Sequence, residues 1–239
     1  MTAAEVMAAL AAVADPADAV HLQRFFKTGP GEYGEGDVFI GVRVPVTRRI
    51  AKDFADLPLT EIDKLLDSAV HEHRLTALVI LNRQFARAAD DGVREHIVER
   101  YLAAVRRGRV NNWDLVDASA ENVLGPWLYE RDRSLLFELA ASDSMWERRV
   151  AVLSTFAFIK RGDPSTTLEL AELLLGDRAD LIQKAVGWML REVGKRVGRE
   201  HLLSFLNLHA GEMGRTALSY ATEHLTPEER AAYRAAARS

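Results

Sequence analysis

Residues 181–196 read "LIQKAVGWMLREVGKR". Ile182, Val186, Met189, Leu190 and Val193 recur at the spacing of one face of an α-helix, while Lys184, Trp188, Arg191 and Lys195 fall at i, i+4, i+7 and i+11 on another. The segment predicts a helix over 180–196 with one buried face and a second that sets an indole among cations. Two readings of that second face stay open. Trp188 is either core between helix layers or part of a surface that receives a ligand.

The same periodicity runs through almost the whole chain beyond residue 45. Helices are expected at about 3–12, 16–27, 46–55, 60–68, 71–88, 93–107, 113–123, 132–140, 144–160, 165–175, 180–196, 199–208, 214–223 and 227–237. Thr60 offers a cap for the helix after "LPL", and Pro227 suits a helix start behind Thr226. Three successive pairs, 93–107 with 113–123, 132–140 with 144–160 and 165–175 with 180–196, have the length of HEAT-like repeats. Trp113, Trp146 and Trp188 each fall in the second helix of a pair. The expected fold is all-α, an α-α superhelix of HEAT-like repeats forming one domain over 1–239. Its N-terminal part, 1–55, holds an ordered glycine-rich loop at 28–45, "TGPGEYGEGDVFIGVRVP", in which "VFIGVRV" can be a short strand.

Composition removes several classes of function. With no cysteine among 239 residues, disulfides, thiolate nucleophiles and Cys-ligated metals are excluded. No apolar run is long enough to span a bilayer. The opening "MTAAEVMAALAAVADPADAV" reads as a first helix and not as a secretion signal, which points to a cytoplasmic protein with no membrane partner. A net charge of -4 argues against a general affinity for polyanions, yet the basic residues are grouped: "RVPVTRRIAK" at 43–52, "RRGR" at 106–109, and "KAVGWMLREVGKRVGR" at 184–199. Such groups are either solvated helix termini or a track for phosphates.

The chemistry is concentrated in "GRVNNWDLVDASAENVLG", residues 108–125. Asn111 or Asn112 can cap the helix, Val116, Val123 and Leu124 supply its buried stripe, and Trp113, Asp117 and Ala120 share a neighbouring face. An indole beside a carboxylate suits a flat cation, the ring through cation–π attraction and the acid through charge. A packed, salt-bridged pair is the plainer alternative. In "WERRVAVLSTFAFIKRGD", residues 146–163, Arg148 and Arg149 straddle two faces, so at most one points to any given surface. That guanidinium can hold a phosphate or tie down Asp117. The "HEHR" of residues 71–74 lacks the zinc spacing of HExxH, and "GPGEYGEG" lacks the lysine of an ATPase phosphate loop.

Four ordered stretches, "FFKTGPGEYGEGDVFIGVRVPVTR", "VNNWDLVDASA", "WERRVAVLSTFAFIKRGD" and "IQKAVGWMLREVGKR", closely resemble the bacterial DNA alkylation repair family of HEAT-like repeat glycosylases, over about residues 20–222. The resemblance implies a monomeric, cofactor-free and metal-independent enzyme that binds duplex DNA and excises cationic N3- or N7-alkylated purines. It carries the family's catalytic aspartate to Asp117, its lesion-side tryptophans to Trp113 and Trp188, and its arginine to Arg149. The family's N-terminal aromatic falls on Phe25 or Phe26, with Tyr33 also open. Arg43, Arg48, Arg148, Lys160, Arg161, Lys184, Arg191, Lys195 and Arg196 are the pool for DNA contacts. Alternatives of other classes are a non-catalytic damage-sensing module and a protein-interaction scaffold.

Overall fold

A computed structural model describes residues 1–236, which fall into two compact units meeting in sequence at Val123 and Leu124. The first holds α1 (Ala3–Ala11), α2 (Pro16–Phe25), α3 (Val44–Asp53), α4 (Leu59–Leu66), α5 (His71–Arg87), α6 (Asp91–Arg106) and α7 (Trp113–Ser119). The second holds α8 (Leu124–Leu128), α9 (Ser134–Ala140), α10 (Met145–Ser154), α11 (Phe156–Ile159), α12 (Ser165–Leu173), α13 (Asp180–Arg196), α14 (Arg199–His209), α15 (Arg215–Ala221) and α16 (Pro227–Ala236). The all-α class read from the sequence is the one formed. Residue 237, the last expected in the final helix, lies outside the described residues.

In the first unit α5 is the central element, packed by α3, α4, α6 and α7. Leu75, Leu78, Ile80 and Leu81 are buried along it, and so are His71, Glu72 and Arg74 at its start. Several helices of this unit begin at residues whose side chains or rings serve a helix N-terminus. Thr2 and Glu5 form a reciprocal capping box on α1, and Asp15 accepts from the amide of Ala17 at 2.8 Å ahead of α2. Thr60 is not the cap of α4. Pro58, with φ -57° and no N–H to satisfy, leads directly into the helix at Leu59. Helix α7 packs on α5 and not mainly on α6, its expected partner in sequence.

The glycine-rich passage is ordered by a side chain instead of a neighbouring strand. Val38 forms one isolated parallel bridge with Val70, and the buried carboxylate of Glu72 then receives the amides of Ile40, Gly41 and Val42 at 2.8 to 3.2 Å. "VFIGVRV" therefore forms no strand: its next backbone donors are already satisfied. Gly41 has φ +83°, and a Cβ there would lie 1.9 Å from the Asp15 carbonyl, so this contact between loop and α2 admits only glycine.

In the second unit α13 is the central element, packed by α10, α11, α12, α14 and α15, with Ile182, Val186, Met189, Leu190 and Val193 buried as the sequence predicts. The pairs α9–α10 and α12–α13 pack together as expected of repeats. Two details differ from the sequence reading. The helix expected over 144–160 breaks at Thr155, where Ser154 and Thr155 turn their hydroxyls back on the carbonyls of Val150 and Val152 at 2.7 Å. Helix α8 contains Gly125 and Pro126, residues that look like breakers. Gly125 is needed because a Cβ would sit 2.3 Å from the Ser154 carbonyl, so it lets α8 approach α10.

Candidate functional site

Each unit carries a share of the residues singled out by the sequence. In the first, α7 is started by Asn112, whose side-chain oxygen accepts the Trp113 amide at 2.8 Å. Trp113 and Asp117 follow one turn apart, both half-buried, on a face that neighbours the core position Val116 and points away from the core position Leu115. Ala120 does not extend that face: it is fully buried. The Trp113 ring stacks on Phe26 (centroids 5.2 Å apart), and Phe26 stacks in turn on Phe39 at 5.0 Å. Phe25 stands edge-on to Trp113 at 5.9 Å and is 57% exposed, whereas Phe26 is 6% exposed. Of the two phenylalanines, Phe25 is thus the one available to a ligand, and Phe26 is the platform beneath the indole. Tyr33 is half-buried on the loop, with Lys27 over its ring at 5.8 Å.

Beneath the stack lies a group of charges that the sequence reading did not assemble. His71, buried at the start of α5, faces Asp37 of the loop through Nδ1 at 3.0 Å and Asp114 of α7 through Nε2 at 2.8 Å. Asp37 also accepts from Arg74 at 2.6 Å and from Asn111 at 3.2 Å. The His71 ring stacks on Phe39 at 4.4 Å. Burial alone would lower its pKa, but the charges and hydrogen bonds of Asp114 and Asp37 push it up to about 9. Burial would raise Asp37, but its bond from His71 and the Arg74 charge hold it below the usual carboxylate range. The only sequence signal was weak, a His and an Arg at i and i+3 in the first turns of a helix that carries other polar residues as well. Beneath α7, Tyr101 is fully buried, and the Ser119 hydroxyl lies 3.2 Å from its oxygen.

In the second unit Arg149 is 4% exposed and donates to the Leu181 carbonyl at 2.5 Å, joining α10 to the first turn of α13. Arg148 is bound to Asp177 at 2.7 Å and to the carbonyls of Ser142 and Asp143. Trp188 is half-buried in the middle of α13, with the Phe156 ring 6.0 Å away. Lys160 and Arg196 sit over that Phe156 ring at 4.4 and 5.2 Å. Arg161 lies over Tyr129 at 4.3 Å.

The remaining cations fall into two kinds. Arg43 is held by Asp18 in a two-pronged contact at 2.6 and 2.9 Å, Lys184 by Asp180 at 2.8 Å, and Arg191 by Glu223 and Glu192. Arg196 reaches Glu192 at 2.6 Å. Arg48 and Lys195 are exposed and have no carboxylate partner among the described residues.

The described residues define an all-helical protein, in which the pairs α9–α10 and α12–α13 pack together and α7 presents an indole and a carboxylate one turn apart. The sequence profile of the DNA alkylation repair enzyme family matches residues 6–225, and the chain belongs to that family. It is accordingly an enzyme of DNA repair, acting on alkylation damage. No curated protein matches it. A solved structure of a predicted DNA alkylation repair enzyme from Enterococcus faecalis is 18% identical, with a TM-score of 0.69 over 90% of this chain and 97% of that one, a likeness of fold. Among the described residues, no helix is long and apolar enough to cross a membrane.

Proposed function

We propose that this chain is a HEAT-like DNA glycosylase that hydrolyses the N-glycosidic bond of cationic N3- or N7-alkylated purines in duplex DNA. The observation that carries the reading is the pose of Trp113, stacked on Phe26 with Asp117 one turn along the same helix. Alkylation at N3 or N7 leaves the purine positively charged, so the base departs without a general acid. What needs stabilising is the positive charge that grows on the deoxyribose as the bond lengthens, and the water that attacks its anomeric carbon. A carboxylate beside an indole answers both needs. Asp117 faces the developing cation and orients or deprotonates the water, and Trp113 offers the sugar and base a π-face.

In the second unit, Trp188 and Arg149 are proposed to act in the same reaction, Trp188 as a further aromatic contact to the lesion nucleotide. The buried Arg149 anchors the start of the helix that carries Trp188, which supports a positioning part besides any grip on phosphate. Lys160 and Arg161, resting on aromatic rings, belong to the track for the DNA backbone, and Arg196, over the Phe156 ring, joins it only by leaving Glu192.

The test is single-turnover release of 7-methylguanine from methylated duplex DNA in EDTA, comparing the native chain with Asp117→Asn. The expected loss is about 10²–10³-fold in rate, the range for removing one electrostatic stabiliser, with DNA affinity changed only a few-fold. Equal release by both would remove Asp117 from the chemistry. Release by neither, with salt-sensitive DNA binding intact, would leave a binding module without glycosylase activity.

A further inference from the structure

We infer that His71 is a positioning residue: as an imidazolium it clamps Asp114, in the first turn of α7, to Asp37 of the glycine-rich loop, and so sets the pose of the Trp113 indole. The functional consequence rests on the glycosylase reading; the clamp itself does not.

The protonation state follows from geometry. Both ring nitrogens face carboxylate oxygens, at 3.0 and 2.8 Å. An ionised carboxylate only accepts hydrogen bonds, so both nitrogens must donate, and an imidazole that donates twice is cationic. The charges then balance, with His71 and Arg74 against Asp37 and Asp114, the first three closed to solvent and Asp114 largely so. A neutral His71 would leave one buried negative charge without compensation. The neighbouring ionisable groups are committed elsewhere: Glu72 to the loop amides and His73 to Ser68.

Two observations direct the clamp toward Trp113. The bond from His71 is the only one made by the Asp114 side chain among the described residues, its other oxygen being buried without a partner. Asp114 adjoins Trp113 in sequence, so the first turn of α7 is tied to the loop through the imidazole, while Asn111, just ahead of the helix, makes its own bond to Asp37. The same imidazole packs on Phe39 and lies 5.2 Å from Phe26, the ring on which Trp113 stacks. His71 therefore reaches the indole by two routes, through the helix backbone and through the aromatic platform.

The experiment is ¹⁹F NMR of the full chain carrying 5-fluorotryptophan, with the Trp113 resonance assigned by Trp113→Phe and followed from pH 6 to 10. In the native chain that resonance should move through one titration in this range as His71 loses its proton. In His71→Gln it should sit displaced already at pH 7 and not titrate. His71→Gln combined with Asp114→Asn, which again balances the buried charges, should return it most of the way. In parallel, His71→Gln should slow single-turnover excision about 10-fold or more with DNA affinity within about 3-fold, and the double variant should recover most of the rate.

A Trp113 resonance that neither titrates in the native chain nor moves in His71→Gln would overturn the inference. So would a double variant no better than the single one. The native titration needs no folded His71 variant, only the Trp113→Phe assignment, so instability of His71→Gln leaves the test intact. If the fluorine results are as expected but the native chain releases no base, the clamp stands and the glycosylase reading falls.

Discussion

Trp113 and Trp188 are both half-buried indoles on helices, yet they are supported by different physics. Behind Trp113 stand two stacked phenylalanines and then a largely buried group of four charges linked by His71. Beside Trp188 stands Phe156, and the cations over that ring, Lys160 and Arg196, are exposed to water. A pose that depends on buried charges is rigid but responds to pH and to loss of any one partner. A pose that depends on packing and surface cations tolerates such changes and responds to salt instead. The first arrangement suits a residue held beside the reacting bond, and the second suits one that follows a flexible polyanion.

The sharpest way to break that contrast is to remove one arginine from each unit. Arg74→Met strips buried Asp37 of its 2.6 Å partner and should cost on the order of 3–5 kcal/mol in urea unfolding, the range for leaving one half of a buried ion pair. Arg196→Met removes an exposed partner of Glu192, which keeps Arg191, and should cost at most about 1 kcal/mol. Similar losses in the two variants would mean that the charges under Trp113 are not a special support.

A smaller effect should appear on raising the pH of the native chain. His71 is held at about 9 when folded and returns to about 6.5 when unfolded, so its stabilisation is complete below 6.5 and disappears as pH rises through about 9. Over that window the unfolding free energy should fall by on the order of 2–3 kcal/mol, and His71→Gln should flatten the profile. His73 acts with the opposite sign and outside the window. Burial lowers its pKa, so it removes stability only as pH falls below 6.5. A native profile flat from 6.5 to 9 would show that the imidazolium contributes nothing to the fold.

The two indoles also differ in how much of their setting was legible. The stripe of α13 is local, with apolar residues at i, i+4, i+7 and i+8, and burial follows it residue by residue. Trp113 and Asp117 on one face of α7 were readable for the same reason. The support under Trp113 was not, because Phe26, Phe39, His71 and Asp114 are brought together by the loop fold and no local period connects them. Two further features have the same tertiary origin: α8, not among the expected helices, forms around Gly125 because the Ser154 carbonyl occupies the space of its missing Cβ, and "VFIGVRV", open to a strand, stays part of the ordered loop because Glu72 takes its amides. Periodicity reports which face is buried, but not what an irregular segment or a buried charge will find there.

The smallest expected effect tests whether the surface cations divide as the ion pairs suggest. Releasing counterions from DNA requires a cation that meets a phosphate without first abandoning a carboxylate, so Arg48 and Lys195 are better placed than Arg43 and Arg191. Substituting Arg48 or Lys195 by Ala should therefore lower the slope of log affinity against log salt by about 1 each. Substituting Arg43 by Ala should leave the slope nearly unchanged, since Asp18 already neutralises that guanidinium through two bonds. The comparison also asks something of each unit separately, because Arg48 lies on α3 and Lys195 on α13. A change for Lys195 alone would assign the backbone track to the unit of Trp188. Equal changes would mean that the unit with the buried charges also grips the duplex from its surface, and that holding an indole rigidly does not exclude adding to affinity.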